Sequence, residues 1–187
     1  MASSSDAAPS LPDRWPALAT RHQWRNVTVH PFVPTTDLPP LDAIQSVNMV
    51  PFQGELVHIP VMENGGVLLP GGTRELGESI EEALAREMAE ELGAVVRLAR
   101  LLGYWPCYSS DPQPWRSHLS HPHFLRIVYY GDVELVHPPT NPDDGEPIMS
   151  IQSLPPLEAV EWLRTSNRPE LADLYDLATV TRAGRAY

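Results

Sequence analysis

Three glutamates, Glu87, Glu90 and Glu91, are spaced i, i+3 and i+4 in the run IEEALAREMAEELG, and at 100° per residue they fall on one face of a helix. Leu84, Met88 and Leu92 make an adjacent apolar stripe, so the acids lie beside the buried face and not opposite it. Like charges at i, i+4, such as Glu87 and Glu91, cost about 0.2–0.5 kcal/mol each on an isolated helix. Lysines commonly relieve such a cluster, yet the sequence contains no lysine. Arg86 is the one cation of the helix and can reach Glu90 or Glu82, which leaves at least two carboxylates in want of a positive partner. A divalent cation is the natural one. With oxygen donors only, and no cysteine or paired histidine beside them, Mg²⁺ or Mn²⁺ is favoured over Zn²⁺.

The acids do chemistry only if the helix starts and stops at the right residues. Ser79 can cap it while Glu82, three residues on, returns the bond, which makes Ser79-Ile80-Glu81-Glu82 a capping box. Gly93 supplies a left-handed stop. Ahead of the cap, Gly71 and Gly72 open a glycine-rich loop in which backbone can approach a ligand closely, with no Cβ to obstruct it.

Gly72, five residues, Glu78, seven residues, then Arg86-Glu87-Met88-Ala89-Glu90-Glu91-Leu92-Gly93-Ala94 resembles the Nudix box of the Nudix hydrolases, G-x5-E-x7-R-E-U-x-E-E-x-G-U with U a bulky aliphatic. Every polar and glycine position agrees. Ala94 is small for the last position, which touches packing and leaves the metal chemistry intact. The resemblance implies an α/β fold, an α/β/α sandwich with a mixed β-sheet, and hydrolysis of the pyrophosphate bond of a nucleoside diphosphate linked to another group X. It implies Mg²⁺ or Mn²⁺ held by Glu87, Glu90 and Glu91 with the backbone of Gly72. Glu87 and Glu91 are then catalytic, Arg86 orients the glutamates, and Gly71 and Gly72 lie against the phosphates. Many members add a carboxylate from a later loop as metal ligand or general base. Asp143, Asp144 and Glu146 in HPPTNPDDGEP supply the candidates, with Asp144 and Glu146 taken as catalytic; solvated turn residues are the competing reading.

A net charge of −11 argues against a nucleic-acid partner, since a polyanion is repelled, and favours a small phosphorylated substrate neutralised locally by metal. The single cysteine, Cys107, excludes an internal disulfide and a cysteine-built zinc site, in keeping with a reducing, cytoplasmic setting. No apolar run reaches membrane-spanning length, and the first residues lack the make-up of a signal peptide. At 187 residues the chain suits one domain with some chain left over. Residues 1–16, small, polar and proline-punctuated, are expected to be a disordered arm, and 17–187 a single domain. A homodimer is compatible with this reading.

Along the chain, Trp24–Val33 alternates as a strand. Hairpins then follow over Ile44–Val50, Glu55–Met62 and Val67–Leu69, the turn at Asn64-Gly65 being a strong signal. Val95–Tyr104 and Phe124–Val136 read as strands, the second kinked at Gly131. Ile148–Ile151 is a short final strand. Leu157–Arg164 and Pro169–Arg182 are helices, with Pro169 at a first helical position.

Between Tyr104 and Trp115 runs an aromatic, proline-rich stretch expected to be a loop. Tyr104, Trp105 and Trp115 are its candidates for holding the base or sugar of a substrate, against a reading as core aromatics. His118, His121 and His123 lack the partners for a tetrahedral metal set and read as loop histidines. The substrate stays open among a nucleoside triphosphate, a dinucleotide and a nucleotide sugar. The alternative function is a non-catalytic nucleotide-binding or sensing module on the same fold.

Overall fold

Strand Ile44–Gln53 (β4) shows why the fold needs two layers of cover. Its Ile44, Val47 and Met49 are buried with one apolar cluster, while Val50 and Phe52 are buried with another. A strand buried on both faces must lie inside a sheet that helices cover from either side. The computed structural model, which describes residues 11–140 and 147–184, has this form.

The remaining strands are His22–Trp24 (β1), Val27–Val29 (β2), Val33–Pro34 (β3), Leu56–Met62 (β5), Gly71–Thr73 (β6), Ala94–Val96 (β7), Arg100–Ser109 (β8), His123–Leu135 (β9) and Ile148–Leu154 (β10). They run in the order β1-β2-β8-β9-β4-β5-β10, with β3 beside β8, β6 beside β4 and β7 beside β9. β4 and β9 pair in parallel, Met49 opposite Tyr129, and the other pairs are antiparallel. The sheet is therefore mixed. Helix Ile80–Leu92 (α2) covers one face through Ile80, Ala83, Leu84, Met88 and Leu92. Pro156–Thr165 (α3) and Pro169–Arg182 (α4) cover the other through Ala159, Leu163, Leu171, Leu174 and Tyr175. The expected α/β/α sandwich is the fold observed.

Local signals settled the helix ends. Ser79 Oγ accepts from the Glu82 N–H and the Glu82 carboxylate accepts from the Ser79 N–H, so the capping box is complete, and Gly93 closes α2 at φ 63°. Pro169 begins α4, which spans the predicted residues.

Four expectations are corrected. Residues 11–16 are not a free arm: Leu11–Arg14 form one helical turn (α1), and Trp15 is 0% exposed with its Nε1 donating to Asp176 at 2.8 Å. Asp173, itself buried, accepts from the Ala17 N–H and anchors the following residues to α4. Residues 1–10 lie outside the described residues. Trp24–Val33 is a hairpin turning at Arg25 (φ 51°) and then β3, because Arg25 takes a left-handed turn that a continuous strand cannot hold. Val67–Leu69 makes only an isolated bridge, Val61 to Val67, and the strand that enters the box is β6, paired to β4. Val95–Tyr104 divides into β7 and β8, since Arg97 and Leu98 both donate to the Asp132 carbonyl and the Leu98 carbonyl lies where a side chain at Gly131 would be.

Candidate active site

Arg86 stands at the centre of the carboxylates. Its Nε and Nη2 form a fork on Glu78, at 2.9 Å to Oε1 and 3.0 Å to Oε2. Nη1 bonds Glu87 Oε1 at 2.8 Å and Glu90 Oε2 at 3.2 Å, and Nη2 also donates to the Thr73 carbonyl at 3.1 Å. The predicted reach to Glu90 holds. Glu82 instead serves the cap, and Glu78, eight residues before Arg86, takes the stronger bidentate pair. One guanidinium thus ties α2 to the loop and to β6.

Glu91 turns away from Arg86, and its Oε2 accepts from the Gly71 N–H at 2.7 Å. The expectation that at least two carboxylates are left needing a positive partner is corrected for Glu87 and Glu90, which share Arg86, while Glu91 is held by a backbone donor. Negative charge is in excess at Arg86 all the same, since Glu78, Glu87 and Glu90 all bond to its one guanidinium.

Gly71 and Gly72 are pinned to Asn48 and Val47 of β4. Gly71 sits at φ 134°, with Asn48 Cα only 2.6 Å from where a Cβ would be. A Cβ on Gly72 would lie 2.7 Å from Glu87 Cδ and closer still to its Oε1. The absence of a side chain there leaves room for the Glu87 carboxylate, which is 7% exposed. Burial pushes the Glu87 pKa up, against the pull of Arg86. Arg86 holds Glu78 below the usual carboxylate range, with burial opposing and the Glu75 N–H assisting; those acids in turn raise the Arg86 pKa.

The two shifts have opposite signs in stability. A carboxyl whose folded pKa is depressed stabilises the fold above its ordinary pKa of about 4.3 and loses that contribution as pH falls through the folded value; a raised carboxyl, such as Glu87, opposes folding as pH rises through the same region. Glu78→Gln is therefore expected to cost about 2 kcal/mol at pH 7, the scale of a charge-assisted fork on a partly buried arginine. Urea unfolding at pH 7 and pH 3.5 checks this. The gap between wild type and variant should narrow at the lower pH, and a gap of the same size at both would show that Glu78 acts by packing alone.

Could these residues take a divalent cation? The donors are oxygen only, as Mg²⁺ and Mn²⁺ require. Their charge is in excess, and Gly72 brings backbone against Glu87. Among the described residues no three His, Cys, Asp or Glu side chains converge as a ready ligand set: Glu87 and Glu90 are drawn to Arg86 Nη1, and Glu91 to the Gly71 N–H. Donor chemistry and charge fit the ion, and binding it would draw these carboxylates from their present partners.

The aromatic candidates do not gather. Tyr104 and Trp105 belong to β8, so alternation sends them to opposite faces of the sheet. Tyr104 packs with the cluster under α2, and Trp105 is buried on the other face, edge-on to Phe32 at 5.0 Å. Trp115 is 73% exposed under the Arg116 guanidinium at 4.6 Å. The expected loop thus begins only after Ser109, the pairing of β8 with β9 having overridden the proline at Pro106. His118 and His121 face backbone carbonyls and His123 packs at a tilt against Tyr108, so the histidines form no common site. Asp143, Asp144 and Glu146 lie outside the described residues. Just before them the Thr140 N–H donates to the Glu90 carbonyl at 2.9 Å, which brings the chain to the box helix.

The NUDIX domain family matches residues 45–177, most of the chain. The protein belongs to the Nudix family. An ADP-ribose pyrophosphatase of Methanocaldococcus jannaschii is 38% identical over 69 residues, 37% of this chain and 36% of that protein. Nudix hydrolase 18, mitochondrial, of Arabidopsis thaliana is 35% identical over 68 residues, 36% of this chain and 39% of the relative. The chain thus spans little more than a third of the length of either. Among solved structures, a Nudix hydrolase from Nitrosomonas europaea superposes with a TM-score of 0.54 at 21% identity, covering 77% of this chain and 92% of that one. A mutant of the Bacillus subtilis pyrophosphohydrolase BsRppH gives 0.52 at 21%, covering 72% and 77%. At such identity these likenesses speak to the fold. Nudix hydrolases generally use divalent metal ions, and they act on small nucleotide substrates.

Reasoning from sequence missed Thr73, whose carbonyl accepts from Arg86, Asn48, the register partner of Gly71, and Arg126, which donates to Asn48. Arg126 alone carried a signal, a lone cation inside the apolar strand FLRIVYY.

Proposed function

We propose that this Nudix protein is a pyrophosphohydrolase that cleaves a nucleoside diphosphate linked to X: a nucleoside triphosphate, a dinucleotide or a nucleotide sugar, with ADP-ribose first in line because the archaeal relative carries that activity in its name. The observation that carries this is the buried Glu87 carboxylate, seated in the space left by Gly72 and shared with Glu90 through one arginine nitrogen. Glu87, Glu90, Glu91 and the Gly72 backbone would hold Mg²⁺ or Mn²⁺, which when bound neutralises phosphate oxygens and acidifies water.

The chain's own residues account for the rest. Arg86 keeps the glutamates oriented through its bonds to Glu78, Glu87 and Glu90. Gly71 and Gly72 allow the backbone of β6 to lie against the pyrophosphate. A water oxygen bonds to phosphorus, the P–O bond to the bridging oxygen breaks with its electron pair leaving on the departing phosphate, and the water proton passes to a carboxylate. Glutamates engaged by a cation are poor bases. The proposed base is therefore a carboxylate that follows Thr140, Asp144 or Glu146, with Asp143 beside them.

One assay tests these points. A product-resolved screen of nucleoside triphosphates, dinucleotides and nucleotide sugars with Mg²⁺ is expected to yield a nucleoside monophosphate or a pyrophosphate product with wild type and none with Glu91→Gln. Amide replacement of the three loop acids, one at a time, is expected to cost about 10²–10⁴-fold at the base; if all three stay within a few-fold, Glu87 becomes the base. Metal at a hundredfold excess over its Kd is expected to add about 2.7 kcal/mol, or about 5–10 °C in melting temperature for a chain of this size. A melting curve indifferent to Mg²⁺ and Mn²⁺ would reject the metal assignment. Nucleotide-dependent stabilisation without product, in the presence of metal, would instead establish the sensing module.

A further inference from the structure

Across the sheet from α2, Arg126 of β9 stands directly opposite Trp105 of β8 in register. Its guanidinium lies 5.8 Å from the ring centres of both Trp105 and Trp24. Nη2 donates to Asn48 Oδ1 at 3.0 Å, and among the described residues this is its one hydrogen bond and no carboxylate pairs with it. Nε and Nη1 meet no acceptor, yet they are not among the side-chain atoms sealed from solvent without a partner. Donors of a fixed planar fork are thus left without an acceptor, and not wholly sealed from solvent, beside two indoles.

Two further facts make this recess unusual. In a chain of net charge −11 it is locally positive, because Arg168 adds its field there and the nearby Glu170 is taken up by Arg168 at 2.6 Å. Burial, with Arg168 adding to it, lowers the Arg126 pKa, and an incoming anion would act in the opposite direction. The recess also adjoins the box. Asn48, which holds Arg126, is the register partner of Gly71, and the Gly71 N–H holds Glu91. Two residues of paired backbone separate the two places.

We propose that Arg126, held by Asn48 between Trp24 and Trp105, is an anion receptor that takes a phosphate group of the nucleotide on the sheet face opposite the box helix. Its part in turnover rests on the hydrolase reading above; its binding of phosphate does not. An arginine fork matches phosphate oxygens with paired donors, and flanking indoles suit the planar cation and an attached base alike.

Calorimetric titration in EDTA isolates the receptor, since without metal the carboxylate cluster repels anions. AMP and orthophosphate are expected to bind saturably and neutral adenosine weakly or not at all; equal binding of adenosine would mean a stacking site and overturn the proposal. Arg126→Met should weaken AMP binding about 10–100-fold, the range of a lost charged hydrogen bond. Asn48→Asp, which places a carboxylate on the guanidinium, should do the same and serves if the methionine variant does not fold. Retention of AMP affinity in either folded variant overturns the proposal, as does its loss in Glu87→Gln, which would assign the binding to the box. In turnover, Arg126→Met should raise KM by about the same factor with kcat within a few-fold. If no substrate is turned over while metal-free AMP binding persists and depends on Arg126, the hydrolase reading fails and the receptor stands.

Discussion

Glu87→Gln will lower turnover by about 10³-fold, inside the range for loss of a group that acts in the reaction, while leaving the metal-free fold within about 1 kcal/mol of wild type. The two halves follow from one environment. The carboxylate is buried and its pKa is raised, so neutralising it removes a charge that the interior resists. Against that, the charge-assisted bond from Arg86 at 2.8 Å becomes an ordinary one. The amide keeps an oxygen for Arg86 and fills the same space beside Gly72, so packing is unchanged. What disappears is a negative donor for a cation. Steady-state kinetics on the substrate found by the screen, with chemical unfolding of the same preparation in EDTA, reads both. A variant of near-normal rate would remove Glu87 from the site, and a destabilisation of several kcal/mol would recast it as a structural ion-pair partner.

Gly72→Ala will be nearly as damaging by another route. The new Cβ would lie 2.7 Å from Glu87 Cδ, so the carboxylate must move by about an ångström or more. Displacement of a positioned group on that scale costs about 10²-fold in rate, and overpacking costs about 1–3 kcal/mol in stability. Gly77→Ala is the matched control. Gly77 lies in the turn between β6 and α2 at φ 82° with nothing within 4 Å of its would-be Cβ, so it carries backbone strain and no collision. Its alanine variant should lose about 1 kcal/mol of stability with a rate within a few-fold of wild type. If the two alanine variants prove equally active, the seat of Glu87 against Gly72 does not matter to the reaction. A Gly72→Ala, Glu87→Gln double variant should be little worse than Glu87→Gln alone, because both changes act on one carboxylate.

Much of this site was legible in sequence because its parts lie within a turn or two of one another. The cap of Ser79 and Glu82, the stop at Gly93, the common face of Glu87, Glu90 and Glu91 and the start of α4 at Pro169 are set by bonds over three or four residues. Short loops cost little entropy to close, and few competing partners lie within reach. The box spacing led to the family for the same reason, and the family to the sandwich.

Pairing at long range decided the rest. Glu91 meets Gly71 across 20 residues, Trp15 meets Asp176 across 161, and Arg126 meets Asn48 across 78. Composition favoured a loop from Tyr104 to Trp115, yet pairing with β9 made a strand of its first half and parted Tyr104 from Trp105. A strand's facing depends on register, and one residue of shift moves every side chain to the other face. The sequence of this protein determined its helix, its acids and its family by itself. Only the assembled sheet decided that Glu91 would meet Gly71, and that an arginine would stand between two tryptophans behind the box, because those contacts exist only once strands distant in sequence have been aligned.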